Sequence, residues 1–147
     1  MFVNEVISGG TTPVLEAMVG FAGQRQRILS HNIANWETPN FRPIDVSPAE
    51  FRQALRDAVD RRRAGGNMGE LSFRANDTVA RNPDGSLELT ARLMDGPRAG
   101  ILQHDRNSTD LERMMQDVVE NLGAFRAASD LLRSRTTLMN SAISERV

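Results

Sequence analysis

Few side chains in this sequence can do chemistry, and none are grouped for it. His31 and His104 are the only histidines. Neither has a second histidine or a carboxylate at a metal-ligand spacing such as H-E-x-x-H, so no metal site is expected. Ser30, His31 and Asp45 supply the residue types of a nucleophilic triad. However, Ser30 and His31 are neighbours in a helical stretch, where side chains point about 100° apart, and no G-x-S-x-G elbow holds the serine. Cysteine is absent, and all 18 basic residues are arginine. Thiol catalysis, cysteine-ligated zinc, iron–sulfur clusters and disulfides are thereby excluded, as are Schiff-base and P-loop lysine chemistry. The run Gly65-Gly66-Asn67-Met68-Gly69 has no strand before it and no lysine after it, so it reads as a hinge rather than a phosphate cradle. Arg61-Arg62-Arg63 follows Asp57 and Asp60 at the end of a helical stretch, where cations offset the helix dipole. With 18 Lys+Arg against 19 Asp+Glu and a net charge of −1, no nucleic-acid surface is expected. The residues point to a protein that is not an enzyme and uses no cofactor.

The elements that would position these side chains are mostly helical. Leu, Ile, Val and Phe make up 35 of 147 residues, above the level of roughly 20% at which disorder is expected throughout. No run of about 18 apolar residues occurs, and no basic residue precedes Arg25, so neither a membrane span nor a cleavable signal is expected. Thr12 as N-cap and Pro13 at the first helical position start a helix over about 13–34, with Leu15, Ala22 and Leu29 seven apart and Met18, Phe21 and Ile28 widening the stripe. Gly20 and Gly23 weaken it by about 1 kcal/mol each relative to Ala, so packing must hold it. Ser47-Pro48-Ala49-Glu50 is a capping box opening a short helix over about 48–63, with Phe51, Leu55 and Val59 on one face. Residues 64–107 hold six of the 11 glycines and few large apolar residues, so this segment needs a partner to order it. Within it, Leu87, Leu89, Ala91 and Leu93 alternate as a strand, with 71–74 or 77–81 as hairpin partner.

The C-terminal stretch carries the strongest periodicity. Thr109-Asp110-Leu111-Glu112 has capping-box spacing. Leu111, Val118, Phe125, Leu132 and Met139 then repeat every seven residues, followed at four by Met115, Leu122, Ser129, Thr136 and Ile143. From Leu111 to Ile143 a helix spans about 50 Å. That is too long to bury its seam inside one small globule, so it requires the N-terminal helix along part of its length and other chains along the rest. On this reading the seam residues Leu111, Met115, Val118, Leu122, Phe125, Leu132, Met139 and Ile143 carry assembly. Asp117, Glu120 and Arg133 are expected to face less constrained surroundings, with Asp117→Ser tolerated.

Asn32-Ile33-Ala34-Asn35-Trp36-Glu37-Thr38-Pro39-Asn40-Phe41-Arg42-Pro43 concentrates specialised turn chemistry at the end of the first helix. The stretch Ala34-Asn35-Trp36-Glu37-Thr38-Pro39-Asn40-Phe41 resembles the A-N-x-x-T-P-x-(F/Y) motif of the bacterial flagellar axial family of rod, hook and hook-associated proteins. It has Asn40 where the family usually has Gly, a replacement suited to a left-handed turn. Within the family, Arg42-Pro43-Ile44-Asp45-Val46 with Phe51, and Asn107 through Met115, are similar to segments of the proximal rod proteins. The resemblance covers roughly 13–60 and 105–144.

The resemblance implies a mainly α fold in which long N- and C-terminal helices pair as an antiparallel coiled coil, with a short third helix and a flexible central segment with room for a small β-hairpin. The chain then divides into an N-terminal extension (1–12), the first helix, turn and short helix (13–63), a variable central segment (64–107) and the C-terminal helix (108–147). The motif residues Asn32, Ala34, Asn35, Thr38, Pro39 and Phe41 would form the turn. The implied function is a structural subunit of the proximal rod, the periplasmic drive shaft, exported without a cleaved signal. Its implied partners are copies of itself, other rod proteins, and the membrane-ring and export-gate proteins at the rod base. The alternative is a cytosolic helical adaptor that binds one partner through its long amphipathic helix.

Overall fold

The periodic stretch opened by Pro13 is a 23-residue helix, α1, spanning Thr12–Ala34. The computed structural model describes residues 10–65, 71–74, 79–82, 86–94 and 111–144. After α1 come β1 (Ile44–Asp45), α2 (Pro48–Ala64), β2 (Val79–Arg81), β3 (Leu87–Leu89), β4 (Arg92–Leu93) and the 34-residue helix α3 (Leu111–Ser144). The architecture is mainly α, as the periodicity and the family resemblance predict.

The helix starts follow two rules. Ser47 accepts the Glu50 amide on its Oγ at 3.3 Å, and Pro48 occupies the first turn of α2, as a capping box requires. At α1 the expected cap is displaced. Thr11 precedes the helix and makes no side-chain cap bond, while Thr12 Oγ1 accepts from Arg135 Nε at 2.8 Å. A hydroxyl already inside the first turn cannot reach the exposed amides, so it is available to a neighbouring helix. Thr109 and Asp110 of the second capping box lie outside the described residues.

α1 and α3 run antiparallel. Asp117 reaches Arg25, Asn121 bonds Ala22, and Arg135 bonds Thr12, so α3 residues rise in number as α1 residues fall. Phe125 lies over Gly23, where an added Cβ would meet Phe125 Cε2 at 3.9 Å; a Cβ on Gly20 would meet Leu87 Cδ1 at the same distance. Both are ordinary contacts, so neither glycine is required by a close approach.

The opposite side of α1 faces the main core. There the Phe21 and Phe51 rings stack with centroids 4.0 Å apart and an interplanar angle of 8°. Val46, Leu55, Ala58, Leu71, Val79 and Leu87 are buried in the same cluster. The expected strand over Leu87–Leu93 divides in two. β3 pairs antiparallel with β2 in the register Val79↔Leu89 and Arg81↔Leu87, which selects the second of the two expected hairpin partners. β4 instead pairs with β1, Ile44↔Leu93 and Asp45↔Arg92, and Met94 donates its amide to the Pro43 carbonyl at 2.9 Å. The small sheets thus tie the central segment to the chain leaving α1.

Candidate functional site

The motif at the end of α1 is built around two asparagines with different tasks. Asn32 is 0% exposed. Its Nδ2 donates to the Ile44 carbonyl at 2.6 Å, and its Oδ1 accepts the Ile44 amide at 3.1 Å. A side-chain amide has one donor and one acceptor side by side, so it pairs both backbone groups of one residue as a neighbouring strand would. This clamps β1 against the last turn of α1. Asn35 works on the helix end itself, its Nδ2 donating to the His31 carbonyl at 2.8 Å, which also accepts the Asn35 backbone amide at 3.2 Å. The chain then turns twice, with the Thr38 amide on the Asn35 carbonyl at 2.9 Å and the Phe41 amide on the Thr38 carbonyl at 3.0 Å. Asn40 has φ 60°, the left-handed conformation that asparagine tolerates best after glycine. Ala34, Thr38 and Pro39 are exposed at the bend. Phe41 is half-buried, its ring centroid 5.8 Å from that of His31.

A second polar group, not picked out by motif or spacing, joins three elements. Arg25 on α1 is 5% exposed. Its Nε and Nη2 donate to the two oxygens of Asp45 on β1 at 3.0 and 2.7 Å, and Nη2 also reaches Asp117 Oδ1 on α3 at 3.5 Å. Burial alone would lower the proton affinity of Arg25, but the hydrogen bond to Asp45 and the charges of Asp45 and Asp117 outweigh it, and its pKa is raised. Asp45, one member of the formal triad, is therefore committed to an ion pair and does not approach His31. Asp117 corrects the expectation of an unconstrained surface residue. One turn along, the buried Asn121 donates from Nδ2 to the Ala22 carbonyl and to Gln26 Oε1, both at 2.9 Å.

The expected seam of α3 is divided by the structure. Leu111, Val118, Leu122, Phe125, Leu132 and Met139 are half-buried, whereas Met115 is 54% and Ile143 50% exposed. The fully buried positions are Met114, Asn121 and Ala128, a line seven residues apart beside the predicted one. A line containing Asn and Ala is weak in a count of large apolar residues, although its heptad spacing is visible in the sequence. Arg61 at the end of α2 donates to the Ser72 carbonyl at 2.8 Å, and Arg62 bonds the Gly10 carbonyl. The arginine run therefore ties down neighbouring chain. Among the described residues no cluster of His, Asp or Glu could hold a metal ion, and no helix is long and apolar enough to cross a membrane.

What this geometry builds is a helix pair with a fixed turn, which orients surfaces rather than reacting atoms. No family model matches the chain. Curated relatives do. The flagellar basal body rod protein FlgB of Yersinia enterocolitica is 34% identical over 104 residues, covering 67% of each chain. FlgB of Yersinia ruckeri is 30% identical over 126 residues, covering 83% of this chain and 85% of its own. FlgB of Borrelia hermsii is 32% identical over 103 residues, covering 66% of this chain and 68% of its own. Similarity of that extent, on a chain whose terminal helices pair as the motif predicted, places it in a family: it belongs to the flagellar basal body rod proteins of the FlgB type.

Proposed function

We propose that the chain is a building block of the proximal rod that polymerises through α1 and α3, with copies of itself and with other rod proteins. The product is a tubular shaft that transmits torque and leaves a passage for export substrates. The observation that carries this reading is the exposed apolar end of α3 among the described residues. Past its contact with the start of α1 at Arg135, residues 136–144 contain no charged side chain, and Leu138 and Ile143 stand 69% and 50% exposed. A solvated helix end is ordinarily charged, whereas the centre of a protein interface is depleted of charge. Met139 and Ile143 extend the α1-facing side of α3 beyond the end of α1, so a neighbouring subunit is the natural cover.

The same reading assigns the turn Asn32, Ala34, Asn35, Thr38, Pro39 and Phe41 to setting the direction of the segment that leaves α1. It treats 13–63 and 108–147 as the assembling parts and 64–107 as the variable part. It also places the subunit in the periplasm, exported without a cleaved signal, beside the membrane ring and export gate at the rod base. The test is complementation of a strain lacking the subunit, scored by motility and by the amount of subunit in purified basal bodies. Leu138→Asp should abolish incorporation while the purified chain keeps wild-type helix content. Incorporation at the wild-type level would overturn the reading.

A further inference from the structure

An apolar-lined cleft and an exposed apolar flank lie on opposite sides of α3. On one side a cleft of about 340 Å³ opens between α1, the first turn of α2, and α3. Phe21 and Phe51 line it, both nearly buried, together with the charged Arg25, Asp117, Arg52 and Glu120, of which Arg25 and Asp117 already face each other. On the other side Met115 and Val119, at i and i+4, are 54% and 67% exposed. Glu112, one turn before Met115, lies on the same flank. Among the described residues neither Glu112 nor Arg52 forms an ion pair.

At about 100° per residue, the α3 positions that line the cleft are centred about 170° from Met115 and Val119. A chain therefore cannot seat these side chains in its own cleft. We infer that Met115 and Val119 of one copy enter the cleft of a second copy, with Glu112 meeting Arg52 across the contact. This rests on the rod-subunit reading above and names one of its contacts. Because the two surfaces lie back to back, each copy engages one neighbour with its flank and another with its cleft. Such a contact is heterologous and propagates a row of subunits instead of closing a two-fold dimer. The apolar pair supplies the buried centre and the charge pair sets the register at the rim.

The chain has no cysteine, so a cross-link between two copies of it can form only through introduced thiols. Oxidation of assembled basal bodies carrying Val119→Cys together with Ala49→Cys, a residue lining the cleft, should yield a covalent ladder beyond the dimer. No ladder, or dimers from Val119→Cys alone, would overturn the inference. A charge exchange gives a second reading. Glu112→Arg and Arg52→Glu should each reduce recovery in basal bodies several-fold, and the two together should restore it to within about two-fold of wild type. Reduction without restoration counts against the contact. Because these residues lie far from residues 136–144, failure of the ladder and of the exchange while Leu138→Asp still blocks incorporation would sink this contact alone. Normal incorporation of Leu138→Asp would instead sink the rod-assembly reading beneath it.

Discussion

Truncating Arg25 to Ala leaves Asp45, whose side chain is 9% exposed, without the paired donors it now faces. An uncompensated buried carboxylate is far more costly than the intact pair is favourable, so the loss should be about 3–5 kcal/mol by urea denaturation. A loss below about 1 kcal/mol would show that water replaces the guanidinium. The raised pKa of Arg25 means its contribution is fully present below the unfolded value and fades only as pH rises through the higher folded one. Stability between about pH 6 and 9 should therefore gain no slope from this residue. Asp117→Ser, harmless if that side chain were free, should cost about 1 kcal/mol, because the carboxylate is only 23% exposed and lies 3.5 Å from Arg25. Asn32→Ala strips partners from both backbone groups of Ile44, at about 1–3 kcal/mol for each group left unsatisfied. Asn32 was legible as part of a motif, but its partner was not. Arg25 was not legible at all, since an arginine in a helix is ordinarily a solvated residue and only the return of β1 and α3 encloses it.

At the scale of elements, the glycines of α1 separate propensity from packing. Since a Cβ on Gly23 would lie 3.9 Å from Phe125, Gly23→Ala should keep the α1–α3 contact and gain about 1 kcal/mol of helix propensity. Thermal unfolding of the purified chain checks this, and a lowered midpoint would mean the helices approach more closely than ordinary contact. The starts of α1 and α2 followed, within a residue, from Pro13, Ser47 and Pro48 because these act on their own first turns. The face of α3 did not. Counting large apolar residues favours Leu111 and Met115 and their repeats, but the arc that α1 covers also takes in Met114, Asn121 and Ala128. Asn121 is accommodated there because the Ala22 carbonyl and the Gln26 side-chain oxygen receive its protons. A buried polar residue satisfied in only one alignment is a device for holding the register of a helix pair.

For the whole molecule, substitutions on α3 should sort by which neighbour they touch. Phe125→Asp removes a ring packed over α1 and adds a charge. Because Phe125 is half-buried, the loss should stay below the roughly 3–5 kcal/mol of a core phenylalanine truncation, yet it should destabilise the subunit as well as abolish rod formation. Leu138→Asp and Val119→Asp alter side chains 69% and 67% exposed in the subunit, so each should leave the midpoint of thermal unfolding nearly unchanged while lowering recovery in basal bodies. Equal destabilisation by all three in the purified chain would mean that these exposed side chains already pack within one subunit.

By itself the sequence determined the two long terminal helices, the start of the short helix between them and the turn motif. Each of these depends on residues within a few positions of one another: a proline in a first turn, an asparagine suited to positive φ, apolar residues returning every seven. The tertiary structure decided which side of α3 is covered by α1, which side is left for neighbours, and that Arg25, Asp45 and Asp117 converge. Those outcomes depend on the relative height and rotation of two helices separated by the whole central segment. Local hydrogen bonding and propensity carry no information about that alignment, which is chosen by the one arrangement that pairs Arg25 and Asn121 while burying Met114 and Ala128.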